Sequence, residues 1–146
     1  MRKAILLLLF GSLLAAPAAA QTLLEVQTAT AISLKLDPQV RLPRGSYRAL
    51  GPGVQKLIAK MRGVDGYGEW EAYVAKGLAR RLRPVFVRQV EQSFAASGYL
   101  LSGRKAFTVS AEKHQQYVFE GPSGRRALLY VIETPGALYW LVGWSR

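Results

Sequence analysis

Residues 127–133, Ala-Leu-Leu-Tyr-Val-Ile-Glu, and 138–143, Leu-Tyr-Trp-Leu-Val-Gly, are apolar on both parities, with Thr134-Pro135-Gly136 between them. A strand with one wet face alternates apolar and polar residues, and these two runs do not. They are therefore expected to be the two most buried strands of the fold, joined by the Thr-Pro-Gly turn. Upstream, Phe107, Val109 and Ala111 alternate with Thr108 and Ser110, and Gln116 to Glu120 follows before the turn Gly121-Pro-Ser-Gly124. Near the other end, Leu24, Val26, Thr28, Thr30, Ile32, Leu34 and Leu36 share one parity, so Thr22 to Leu36 reads as a half-buried strand. Asp37-Pro38 and Leu42-Pro-Arg-Gly45 mark the loop after it.

Two helical patterns lie between these strands. Val54, Leu57, Ile58 and Met61 recur at i, i+3, i+4 and i+7 and predict a short amphipathic helix, with Gly63 suited to end it. Glu69 to Ala96 reads as one long helix with Val74, Leu78, Leu82, Val85, Phe86 and Val90 in one arc. Pro84 inside it predicts a kink near Arg81 to Arg83, because proline removes a backbone donor and clashes with the preceding turn. Ser97-Gly98 ends the segment. The expected class is α+β, with a short helix and a long Pro-kinked helix packed on an antiparallel meander sheet of about four to five strands. Leu78, Leu82, Phe86, Leu129, Val131, Leu141 and Val142 are the expected core.

The first twenty residues are set apart from this fold. Met1-Arg2-Lys3 is a short basic start, Ala4 to Ala16 is apolar, Pro17 breaks the run, and Ala18-Ala19-Ala20 offers small residues to a signal peptidase. Residues 1–20 are expected to be a signal peptide and residues 21–146 one small α+β domain, secreted or periplasmic. The rival is a retained anchor, since Ala4 to Ala20 approaches the roughly 20 residues needed to span a bilayer.

Cysteine is absent, so disulfides, thiolate metal sites and cysteine nucleophiles are excluded. His114 is the one histidine, which excludes multi-histidine metal centres. It sits in Ala111-Glu-Lys-His-Gln115, read as a solvated turn. Glu69 and Glu71 are two apart and do not face each other on a helix. No serine has a nucleophile-elbow context. The expectation is a protein that is not an enzyme and needs no cofactor.

What remains is charge. The chain carries a formal +11, to which Arg2 and Lys3 contribute two. Such a balance suits anionic surroundings: an envelope polymer, an acidic protein surface or acidic lipid headgroups. Nucleic acid fits the charge but no motif supports it. The stretch from Lys76 to Arg88 holds five cations and no acid, and Lys76, Arg80 and Arg83 share one helix flank as a secondary basic surface. The bland account is a solvated back whose long stems cover apolar surface. Ser102-Gly-Arg-Lys105 and Ser123-Gly-Arg-Arg126 each place a basic pair at the start of a strand. In a meander those strands run the same way, so Arg104, Lys105, Arg125 and Arg126 are expected to gather as an anion site. The leading expectation is a small exported binding module without catalysis, for an anionic envelope polymer or acidic partner. The alternative is a structural or assembly protein of the envelope whose charge is incidental.

Overall fold

The computed structural model describes residues 25–28 and 37–145; the expected signal segment and most of the Thr22–Leu36 strand lie outside the described residues. In chain order the elements are β1 (Glu25–Thr28), β2 (Ser46–Leu50), α1 (Gly53–Lys60), β3 (Tyr67–Ala75), a 3-10 turn (Arg80–Leu82), α2 (Arg83–Ala96), β4 (Leu100–Val109), β5 (Glu112–Glu120), β6 (Arg126–Glu133) and β7 (Leu138–Ser145). All neighbours pair antiparallel in one sheet of order β1-β2-β3-β7-β6-β5-β4. Six strands run from Ser46 onward and the short β1 adds at one edge, which is more than the four to five read from the sequence.

The mixed class and the β4–β7 meander agree with the sequence reading. The single long helix does not. Tyr67 to Ala75 is a strand that pairs on both sides, with β2 and β7. Its Tyr-Gly-Glu-Trp-Glu-Ala-Tyr-Val-Ala sequence is rich in the aromatic and branched residues that suit a pleated surface. Its burial on both parities hid the period of two. The helix begins at Arg83, so Pro84 occupies its first turn, where no intrahelical donor is lost and the ring's fixed φ fits the helix. No kink is seen. At the other end Gly98, with φ of 91°, lets the Gly98 and Tyr99 amides close on the Ala95 and Phe94 carbonyls.

Alternation splits β6 into two cores. Ala127, Leu129 and Val131 face α2 together with Phe86, Val90, Phe94, Trp140 and Val142. Tyr130 and Ile132 face α1 with Leu57, Met61 and Leu141. The helices therefore cover opposite faces of the sheet, and this is why β6 and β7 needed no polar parity. Gly143 answers to the same crowding: a methyl there would come within 2.6 Å of the Trp70 ring, which lies over the bare backbone.

Three side chains depart from expectation. Leu82, read as core, is 43 % exposed, because the turn before α2 aims it outward. Tyr73, absent from the expected core, is fully buried against Trp140. His114 is 1 % exposed and lies inside β5, since that strand starts at Glu112 and not after the histidine.

The environment of His114 sets an acid limit on stability. The Tyr130 hydroxyl accepts the Arg62 amide at 3.0 Å and is left to donate to His114 Nδ1 at 2.6 Å. Nε2 then holds the proton of the neutral ring and has no hydrogen-bond partner among the described residues; Glu112 is 3.7 Å away and is bonded to Lys60 at 2.7 Å. Burial lowers the His114 pKa below its ordinary 6.5, against the raising effect of Glu112. Between the lowered value and 6.5 the unfolded chain binds the proton and the folded one does not. Stability is thus full above about 6.5 and falls as pH drops toward the folded value. Glu112, lowered from 4.5 chiefly by its hydrogen bond from Lys60, adds a loss of the same sign further down. Denaturant midpoints are expected to fall as pH drops below about 6.5, and His114→Gln to flatten that fall. A variant as steep as the wild type would acquit His114.

Candidate functional site: a basic groove beside the long helix

The cations that matter are placed by Arg83. It is buried, and its guanidinium donates to the Glu133 carboxylate at 3.2 Å and to the carbonyls of Thr134 and Pro135 at 2.7 and 3.5 Å. This clamps the start of α2 onto the β6–β7 turn. From there a groove runs along α2, between the helix and the sheet strands β4 and β5. One cavity of about 550 Å³ lies by Arg80, Arg81, Lys113 and Pro135. It shares Pro84, Lys113 and Glu133 with a second of about 280 Å³, floored by Gln115 and Tyr117. A third of about 280 Å³ continues past Arg88 and Arg104 to Leu101 and Phe119.

The groove contains two acids, and each is engaged. Glu91 receives Arg104 at 2.5 Å, and Glu133 receives Arg83. Arg80, Arg81, Arg88 and Lys113 line the same groove, are exposed, and have no acid partner among the described residues. On the floor, Arg104 lies 5.5 Å over the Tyr117 ring, whose hydroxyl donates to Gln115 at 2.6 Å. Burial, then the nearby Glu91 charge, raises the Tyr117 pKa, so this hydroxyl stays neutral and acts as a hydrogen-bonding group. The arrangement can hold an anion by charge and fork-shaped hydrogen bonds.

The four cations Arg104, Lys105, Arg125 and Arg126 do not gather at one end of the sheet. Because β4 begins at Leu100, Arg104 and Lys105 lie in mid-strand and point to opposite faces. Arg104 stands opposite Tyr117 on the α2 face and Lys105 opposite Gln116 on the α1 face. Arg126 is level with Glu120 and pairs with it at 3.0 Å, while Arg104 is level with Leu129. Those levels are about 10 Å apart along the strands. Arg125 lies 5.1 Å over the Trp144 ring and 3.4 Å from Glu69. Of the helix set, Arg80 lines the groove, Arg83 is its buried clamp, and Lys76 lies apart, 5.7 Å over the Tyr47 ring.

Lys113 was missed as a site residue. The signal was available: it shares parity with Gln115 and Tyr117 once β5 is extended back to Glu112. Among the described residues no three His, Asp or Glu side chains are grouped to hold a metal ion, and no helix is long and apolar enough to cross a membrane. No protein-family model matches this chain, and neither a curated protein nor a solved structure matches it.

Proposed function

We propose that this is an exported, secreted or periplasmic binding module without catalysis, and that the groove beside α2 holds an anionic envelope polymer or the acidic surface of a partner. The observation that supports the reading is the set Arg80, Arg81, Arg88 and Lys113, four exposed cations along one groove whose two acids are already paired. Like charges repel, and folding alone does not require them to be neighbours. A string of separated cations suits a chain of anions more than a single ion.

Long-chain inorganic polyphosphate is a suitable probe. The protein is expected to bind it with an affinity that falls steeply with salt, as counterions are released. Changing Arg80, Arg81, Arg88 and Lys113 together to Gln is expected to leave folding intact, since exposed charges contribute little to stability. It should flatten the salt slope by about 3, near the 0.7 per contact seen for flexible polyanions. Changing Lys105, Arg125 and Arg126 to Gln should have a smaller effect. Equal losses in both variants would point to diffuse charge, and unchanged binding in the groove variant would refute the site. A partner captured from envelope extract without salt dependence would favour the structural or assembly reading.

A further inference from the structure

The outer ridge of α2 carries a feature that polymer binding does not use. Leu82 and Val85 are 43 % and 49 % exposed, and neither lines the groove. Leu82 ends the 3-10 turn and caps α2, and Val85 lies in the helix's first turn, so both are presented at the same end of the helix. Val85 lies opposite the buried row Phe86, Val90 and Phe94 and points away from the sheet, while Arg88 stands on the flank between this ridge and the groove. A single exposed apolar side chain is ordinary. Here two lie close in the chain, and the exposed Arg80, Arg81 and Arg88 flank them in sequence, with no acid between Ala72 and Val90.

We propose that the first turns of α2 seat on an anionic lipid bilayer, with Leu82 and Val85 entering the headgroup region and Arg80, Arg81 and Arg88 meeting lipid phosphates. A soluble polyanion engages the cations and gains nothing from Leu82 and Val85. A charged bilayer engages both kinds of side chain. The presentation is rigid, because Arg83 fastens the turn to the β6–β7 hairpin and Pro84 fixes the backbone next to it. The ridge is tied by one side to the folded core, so seating it needs no unfolding. This inference shares Arg80, Arg81 and Arg88 with the groove reading but rests separately on the apolar pair.

The test uses the protein as recovered after export, sedimented with vesicles of phosphatidylcholine and phosphatidylglycerol in equal parts, and with vesicles of phosphatidylcholine alone. Binding to the mixed vesicles only is expected. Changing Arg80, Arg81 and Arg88 to Gln should lower partition about 100-fold, at about five-fold per cation. The double change Leu82→Ser and Val85→Ser should lower it on the order of ten-fold while polyphosphate affinity stays unchanged. Both side chains are half exposed, so that variant is expected to fold, and its thermal unfolding checks this. Vesicle binding equal to wild type in the Leu82/Val85 variant overturns the proposal, as does failure to bind mixed vesicles. Polyphosphate binding without vesicle binding sinks the bilayer contact and leaves the groove reading standing. Vesicle binding without polyphosphate binding does the reverse.

Discussion

Trp140→Ala is expected to destabilise the protein by about 3–5 kcal/mol, the cost of truncating a large aromatic in a packed core. Trp140 is fully buried at the centre of the α2-side core. It stacks on Tyr73 with ring centres 5.7 Å apart and meets Phe86 of α2 at 5.2 Å. Its removal therefore detaches the helix from β3 and β7 at one point. Domains are commonly stable by about 5–15 kcal/mol, so this is about a fifth of the total or more. The midpoint of thermal unfolding should fall by roughly 12–20 °C at about 4 °C per kcal/mol. Trp140→Phe is the useful contrast. Among the described residues the buried indole N–H has no hydrogen-bond partner, and a buried unmet donor costs about 1–3 kcal/mol. Phe keeps much of the ring contact and removes that donor, so its net loss should be much smaller. Equal losses for Phe and Ala would mean that Trp140 acts through its shape alone.

How much of this was legible in the residues follows from period and length. The runs at 127–133 and 138–143 had no polar parity, and they are the two strands covered by a helix on each face. The short helix at Gly53–Lys60 was legible because its apolar positions recur at helical spacing. Tyr67 to Ala75 was not, because Glu69 and Glu71 share parity with the buried Tyr73, so no clean period of two marks it as a strand. Joined to the true helix that follows, it looked like one long element. Pro84 then seemed to lie in the interior, when it marks a beginning. The same boundary error put Leu82 in the core, although it belongs to the turn before the helix. At the candidate site, the basic stretch from Lys76 to Arg88 was visible as charge, but its division into a buried clamp, groove walls and an outer ridge was not. That division depends on Glu133, fifty residues away from Arg83, and on Glu91, thirteen from Arg104. Pairing of that kind has no local signature. Placing Arg104 and Lys105 at a strand start failed for a plainer reason: Leu100 to Lys105 lacks strong alternation because its outer edge and much of its surface are exposed.

Arg83→Ala is expected to cost about 3 kcal/mol and to weaken polyphosphate binding as well. The stability loss follows from what is left behind. Glu133, 20 % exposed, would keep its charge without the guanidinium, and the Thr134 and Pro135 carbonyls would lose their donor. Removing one partner of a buried pair costs about 3–5 kcal/mol, and the lower end applies because water reaches Glu133. Binding should suffer because Arg83 holds Arg80 and Arg81 against the β6–β7 turn. The loss should appear as weaker affinity with a salt slope nearly unchanged, since the free cations are still present. Arg83→Lys keeps a charge but offers no planar fork to reach an acid and two carbonyls, so it should fall between Ala and wild type. Replacing Arg83 and Glu133 together with Ala should cost less than the sum of the single changes, because no buried charge is then stranded. Chemical denaturation of the four proteins measures each of these values. A loss below about 1 kcal/mol for Arg83→Ala would make the pair an ordinary surface contact and would remove the clamp from the account of the groove.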